Sequence, residues 1–224
     1  MKGYGDSDKP SNMTSYLTTS LREDIADLVQ ALDYKSCIMV GHDIGGAVAY
    51  HVATVFPEIV DKLIIINAPH PAVFLHSLKS RKSQKSKSWY MFLFQVSWLP
   101  EMLLTMFDYE FMRDLCGGRL GSSCTEEDEE AYKYIYSRYG FSNQLGFYRA
   151  AFGHSKGTIT TEIRTPTLIL WGSCDHSLDP ELAELSKQYI PDAIIRHFPD
   201  EGHWPHVFNA DETNSAMKEF LDKH

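Results

Sequence analysis

A carboxylate lies at the centre of the pentapeptide 41–45, Gly-His-Asp-Ile-Gly. A buried apolar strand is expected just before it, at 37–40, and a helix after it, from Ala47 to Phe56. This order is typical of a nucleophile elbow, a strained strand-to-helix turn that presents its central side chain to a substrate. The alternative is an ordinary turn in which Asp43 caps the helix. The flanking strand and helix and the additional Gly46 favour the elbow.

An aspartate at this position indicates displacement at a saturated carbon. A carboxylate is ionised at neutral pH, so Asp43 needs no base in order to act as a nucleophile. Its attack would give an alkyl ester, and hydrolysis of that ester requires a water activated by a histidine with an orienting acid. We expect the backbone N–H of the next residue, Ile44, to be an oxyanion-hole donor.

An acid and a histidine follow along the chain in the order that such a site needs. Asp175 comes soon after an expected strand at 167–171, and His203 follows a glycine after the next expected strand, 194–198. Because each residue follows a strand end, we predict that Asp175 orients His203 and that His203 is the general base. Asp179 is a weaker candidate for the acid.

The elements that would position these residues alternate along the chain. Apolar residues repeat at helical spacing from Leu21 to Leu32, and another buried strand is expected at 63–67. Alternation of strand and helix predicts a parallel sheet with right-handed crossovers. Residues 71–155 interrupt this rhythm with aromatic, irregular and helical sequence, so we predict a helical lid there, inserted between core segments 1–70 and 156–224. Further helices are expected near 180–189 and 211–222.

Composition narrows the class of protein. The chain has 224 residues, 43% of them hydrophobic, which is enough for a folded core. A formal net charge of -9 argues against a nucleic-acid partner. The four cysteines form no CxxC pair, which favours a reducing, intracellular compartment, and we expect a cytoplasmic protein. No acidic or cysteine partner falls at zinc-ligand spacing around His197, His203 and His206, so we expect no metal and no cofactor.

Two charged runs lie within the expected lid. The basic run 79–87 contains Lys79, Arg81, Lys82, Lys85 and Lys87. A solvated segment at the lid's edge is the favoured interpretation. An anchor for anionic lipid is the alternative, so membrane association stays open. The acidic run 126–130 after Thr125 predicts the capped start of a helix.

Six segments, in this order along the chain, resemble the soluble-type epoxide hydrolases of the α/β-hydrolase fold. They are Gly-Tyr-Gly-Asp-Ser-Asp at 3–8, Gly-His-Asp-Ile-Gly-Gly at 41–46, Asn-Ala-Pro-His-Pro at 67–71, Ser-Trp-Tyr at 88–90, Gly-Phe-Tyr-Arg at 146–149 and Gly-His-Trp at 202–204. The resemblance implies a mostly parallel sheet with helices on both faces and a helical lid. It also implies that two lid tyrosines, here Tyr90 and Tyr148, donate to the epoxide oxygen, although ordinary lid packing is the alternative for each.

Two departures from the family pattern qualify this resemblance. Many relatives carry Trp after the nucleophile, a halide-binding group in haloalkane dehalogenases, whereas this chain carries Ile44. In the family, the segment that matches 3–8 follows three or more strands and a His-Gly loop that supplies the second oxyanion donor. We therefore expect the N-terminal strands and this loop to be missing, together with any targeting or anchoring segment there. Loss of one such donor slows hydrolysis by about 10²–10³-fold.

The predicted activity is hydrolysis of a small apolar epoxide to a vicinal diol through an Asp43 alkyl ester. The aromatic and Met-rich lid sequence favours an apolar substrate. Two alternatives stay open. A haloacid or haloalkane dehalogenase of the same fold would release halide, and a non-catalytic, truncated remnant would show no turnover.

Overall fold

The computed structural model describes residues 1–115, 125–154 and 159–224. The chain divides into two compact units, one of Met1–Leu17 with Trp89–Ser155 and one of Thr18–Ser88 with Lys156–His224. We call them the helical unit and the sheet unit. The division of the chain at 70 and 155 that the sequence indicates stays a prediction. Cys116 and Cys124 lie outside the described residues.

Four parallel strands form the sheet of the sheet unit. Their order is β1-β2-β3-β4, and every neighbouring pair is parallel, which confirms the sequence prediction. Each buried run that predicts a strand overlaps one of them. The strands are β1 (Cys37–His42), β2 (Val60–Ile66), β3 (Thr167–Gly172) and β4 (Ile194–Phe198). All six residues of β3 are buried, as is typical of a parallel strand covered on both faces.

Helices occur in both units. The first four along the chain belong to the sheet unit and are α1 (Thr18–Ala31), α2 (Ile44–Val55), α3 (Pro71–Ser80) and α4 (Lys82–Lys87). The next four belong to the helical unit and are α5 (Trp89–Leu93), α6 (Leu99–Leu115), α7 (Glu126–Tyr139) and α8 (Ser142–His154). The last three return to the sheet unit and are α9 (Glu181–Ser186), α10 (Pro205–Phe208) and α11 (Ala210–Lys223).

Two helices cover much of the sheet. The buried apolar residues of α2 explain its contacts with β1 and β2. Helix α11 buries Phe220 against residues of three strands, because alternate residues of a strand face the same side of the sheet and the apolar stripe of the helix lies on that side. This cluster consists of Ile64, Ile66, Leu168, Leu170, Phe198 and Phe220.

The helical unit has its own apolar core. Phe94, Leu104, Phe141 and Leu145 form it, with four tyrosines packed around them. Helix α7 begins with a capping box in which Thr125 and Asp128 bond each other's backbone N–H, which confirms the predicted capped start. Helix α6 is interrupted at Met106–Tyr109, where the backbone is not helical.

Strand β1 forms one edge of the sheet in the part of the chain that the structure describes. Its Ile38 and Val40 side chains are exposed to 46% and 53%. An unpaired strand edge with apolar side chains is a template for pairing with another chain. Within the described residues, no helix combines the length and apolar character needed to cross a membrane.

Candidate active site

The turn between β1 and α2 is strained at Asp43. Its φ of 50° and ψ of -121° are rarely adopted by a residue other than glycine. A Cβ added to Gly41 would lie 2.6 Å from the carbonyl oxygen of Gly45, so the tight turn requires glycine at position 41. The Asp43 Oδ1 atom accepts a hydrogen bond of 2.6 Å from the Ile44 N–H. An ordinary helix cap accepts from later N–H groups and needs no positive φ.

The loops after β3 and β4 bring an acid and a histidine to this turn. His203 Nδ1 donates to Asp175 Oδ2 at 2.6 Å, and His203 Nε2 lies 3.1 Å from Asp43 Oδ2. The loops approach so closely that a Cβ at Gly172 would overlap the carbonyl oxygen of Gly202. The structure therefore places the three residues singled out by the sequence in one line, at the carboxyl ends of three strands.

Asn67, which follows β2, is a contributor that sequence reasoning missed. Its fully buried Nδ2 donates to Asp175 Oδ2 at 2.8 Å, and its Oδ1 accepts from the Gly172 N–H at 2.8 Å. The other oxygen of Asp175 accepts from the N–H groups of Ser177 and Leu178. Asn67 thus fixes the carboxylate that orients His203. The sequence did contain a signal for it. Asn67 is a polar residue directly after a buried strand, and the expected strands on either side of it in the chain are followed by Asp43 and Asp175.

We expect Asn67→Leu to lower the free energy of unfolding by about 3 kcal/mol. The substitution leaves the Gly172 N–H without its partner and removes a donor from a buried carboxylate. Urea unfolding of the variant measures the effect. Asn67→Gly is the informative comparison because Asn67 has a φ of 38°, which glycine adopts freely. Glycine relieves the strain of this φ and also removes the hydrogen bonds, so a glycine variant clearly more stable than the parent chain would show that the bonds contribute less than the strain costs.

Burial and mutual hydrogen bonding set the charges in the site. Burial alone would lower the pKa of His203, but its bonds to Asp175 and Asp43 outweigh burial and raise this pKa to about 10. Burial would raise the pKa of Asp43, yet the His203 imidazolium lowers it to about 2. At neutral pH, the resting site therefore holds an Asp43 carboxylate against a His203 imidazolium.

A second imidazole supports the His203 backbone. The Nε2 atom of His42 lies 2.9 Å from the His203 carbonyl oxygen, which can only accept, so Nε2 carries the proton. Burial and the nearby charge of His203 lower the pKa of His42 to about 4, so His42 is neutral at pH 7. The rings of Trp204 and His206 each pack 4.5 Å from the His42 ring.

Among the described residues, no group of three His, Cys, Asp or Glu side chains could hold a metal ion.

Stability is expected to be highest near pH 6.5. Burial lowers the pKa values of His42, His51 and His70 to about 4, so between pH 6.5 and 4 these histidines bind protons in the unfolded chain but not in the folded chain. This opposes folding by about 2–3 kcal/mol per histidine at pH 4. The raised pKa of His203 acts oppositely, since its contribution is complete below pH 6.5 and is lost towards pH 10.

Urea midpoints at several pH values test this profile. His51→Gln should flatten the acidic limb, whereas His76→Gln, at an exposed position, should leave it unchanged. A midpoint independent of pH between 4 and 6.5 would show that His42, His51 and His70 take up protons in the folded chain as they do in the unfolded chain.

The two tyrosines that the resemblance indicates lie together in the helical unit. Their ring centroids are 6.0 Å apart at 81°, and both rings pack edge-on against Phe94. Tyr90 lies on α5 and Tyr148 on α8.

Asp179, the weaker candidate for the acid, is not hydrogen-bonded to His203 but accepts a hydrogen bond from Ser83 and pairs with Lys87 and Arg81.

Comparison with known proteins agrees with the fold. Residues 1–210 match a family model described as alpha/beta hydrolase fold. Epoxide hydrolase 1 of Caenorhabditis elegans is 36% identical, over 100% of this chain and 57% of its own length. Human Epoxide hydrolase 4 is 35% identical, over 99% of this chain and 63% of its own length. The chain thus spans less than two thirds of these relatives.

A solved structure gives the same result. The Bacillus megaterium epoxide hydrolase in complex with an inhibitor has a TM-score of 0.89 at 30% identity, covering 99% of this chain and 81% of that one. The predicted fold class and the family resemblance are both confirmed. The chain therefore belongs to the α/β-hydrolase family, and the relatives and the solved structure named above are epoxide hydrolases.

Proposed function

We propose that the chain hydrolyses a small apolar epoxide to a vicinal diol through an alkyl ester on Asp43. The observation that carries this proposal is the line of Asp43, His203 and Asp175, joined at 3.1 and 2.6 Å. Such a line provides a nucleophile that is already ionised and a base held by a buried acid. Relatives that are named epoxide hydrolases support the choice of substrate.

In the first half-reaction, Asp43 Oδ2 attacks an epoxide carbon and the ring C–O bond breaks. The electron pair goes to the ring oxygen, which takes a proton from Tyr90 or Tyr148. A phenol suits this role because its pKa near 10 keeps it protonated at pH 7. The packing of both rings on Phe94 supports an assignment of the pair to one oxygen.

The ester changes the properties of His203. Alkylation neutralises Asp43 and so removes one of the two carboxylates that raise the pKa of His203. His203 then releases a proton, which restores the phenol, and becomes a base. This order explains how a histidine that rests as an imidazolium can activate water at the second step.

In the second half-reaction, His203 takes a proton from water, and the hydroxide attacks the carbonyl carbon of the ester. The Ile44 N–H already bonds Asp43 Oδ1, the oxygen that would carry the negative charge. Collapse expels the diol oxygen, which takes the proton from His203. The new Asp43 carboxyl group then returns its proton to His203, so the resting charges are restored.

The test is intact-mass and diol analysis of the chain incubated with an aryl-substituted epoxide, beside Asp43→Ala. We expect diol, an added mass equal to the epoxide, or both, in the parent chain and neither in the variant. Diol formation that survives Asp43→Ala would overturn the proposed nucleophile. Neither diol nor adduct in the parent chain would support the non-catalytic alternative. Halide release from a haloalkane without diol would support the dehalogenase, for which Ile44 lacks the indole of the family.

A further inference from the structure

Helix α4 binds the loop that carries Asp175. The Lys87 Nζ atom donates to the carbonyl oxygens of Asp175 at 2.7 Å and Leu178 at 2.9 Å. The fully buried Gln84 donates from Nε2 to the Ser177 carbonyl oxygen at 2.9 Å. Three carbonyl groups of the loop after β3 are thus fixed by side chains of one short helix.

Asp179 closes the same network from the loop side. Its backbone N–H donates to Gln84 Oε1 at 2.9 Å, and its carboxylate accepts from Ser83 Oγ at 2.6 Å. The Asp179 side chain is 6% exposed and lies 3.5 Å from Lys87 Nζ. A buried carboxylate must be neutralised and hydrogen-bonded, and these contacts do both. We call the side chains of Ser83, Gln84 and Lys87 the α4 clamp.

The clamp changes the interpretation of the basic run 79–87. Lys79, Lys82 and Lys85 are exposed, as a solvated segment would be. Lys87, however, is only 28% exposed in its side chain and directs its donors to the loop. The sequence shows five similar cations, and the structure separates Arg81, which pairs with Asp179 and Glu181, and Lys87 from the other three.

We propose that the α4 clamp positions Asp175 against His203, with Lys87 and Gln84 as positioning residues for the proposed hydrolysis. The inference rests on the proposed function for its catalytic meaning. The physical reason is that the Asp175 carboxylate bonds the N–H groups of its own loop, at Ser177 and Leu178. Any shift of the loop therefore moves the carboxylate away from a hydrogen bond of 2.6 Å to His203.

The position that Lys87 imposes on the loop and the charge of Lys87 have opposite effects on the pKa of His203, so the two can be told apart by experiment. If Lys87 acted only through its charge, its removal would raise the pKa of His203, because a cation nearby disfavours an imidazolium. If Lys87 holds Asp175 in place, its removal weakens the Asp175–His203 bond and lowers that pKa. Asp43, Asp175, His42 and His206 are the titratable groups whose charges act on His203.

The experiment is an NMR titration of the full chain labelled with ¹⁵N-histidine, with the His203 signal assigned by its loss in His203→Gln. We expect Lys87→Met and Gln84→Met to lower the pKa of His203 by about 1 unit each. Lys85→Met is the matched control, with the same change of charge on the same helix, and should leave it unchanged or slightly higher. Gln84→Met removes no charge, so a decrease there reflects position alone.

The results separate this inference from the proposed function. No substrate is needed, so the pKa of His203 decides the clamp even if the chain forms neither adduct nor diol. An unchanged or raised pKa in Lys87→Met and Gln84→Met, both folded by circular dichroism, would overturn the positioning role. If the chain turns over epoxide, both variants should also slow ester hydrolysis more than ester formation.

Discussion

His203→Gln is expected to form the Asp43 ester but to hydrolyse it about 10²–10⁴ times more slowly than the parent chain. The substitution removes the base that activates water and leaves the attacking carboxylate in place. Glutamine keeps a side chain between Asp43 and Asp175 but cannot take a proton. The ester should therefore accumulate until nearly every molecule carries the mass of one epoxide.

The measurement is the time course of intact mass after excess epoxide is removed. His206→Gln is the matched control, because His206 packs near the site through His42 but is not in line with the two acids. Decay of the adduct in His203→Gln at the rate of the parent chain would exclude His203 as the base. Absence of an adduct would indicate that the imidazolium is needed to hold Asp43 for attack.

For the two tyrosines of the helical unit, we expect substitution to slow ester formation and to leave ester hydrolysis unchanged. Tyr90→Phe and Tyr148→Phe should each slow ester formation by about 10²-fold, and the double variant by more, with ester hydrolysis unchanged. Phenylalanine keeps both rings against Phe94, so the packing of the unit is preserved while the donor is lost.

Single-turnover kinetics with the aryl epoxide distinguishes the two half-reactions. Tyr136→Phe serves as the control, since its ring stacks on Phe141 within the same apolar cluster. Ester formation at the parent rate in both single variants would favour the alternative that Tyr90 and Tyr148 only pack in the helical unit.

The ends of the strands could be predicted from the sequence because a strand is marked by a few consecutive residues. Continuous apolar runs mark the strands, and parallel pairing brings their carboxyl ends to one edge of the sheet. The order Asp43, Asp175, His203 along the chain was therefore enough to predict that the three side chains meet. The strain at Asp43, which has a φ of 50°, was also foreseeable, since the pattern Gly-x-Asp-x-Gly between a strand and a helix is that of a strained elbow.

Contacts between distant segments could not be predicted in the same way. Gln84 and Asp179 are 95 residues apart, and nothing in the spacing of the basic run indicates that Lys87 binds this loop. Asn67 was visible only as a member of a motif, because its role depends on β2 and β3 being neighbours. The interruption of α6 at Met106–Tyr109 likewise has no counterpart in the spacing of its apolar residues.

At Asp43, selection for stability and selection for activity act in opposite directions. A non-glycine residue in the strained conformation of Asp43 costs about 1–3 kcal/mol. Asp43→Gly would relieve that strain while removing the carboxylate on which the proposed chemistry depends. Where the strain relieved exceeds the stability lost with the Asp43–His203 ion pair, a library of variants selected for heat resistance alone should drift towards glycine at position 43, and thermostability would be gained by abandoning the reaction.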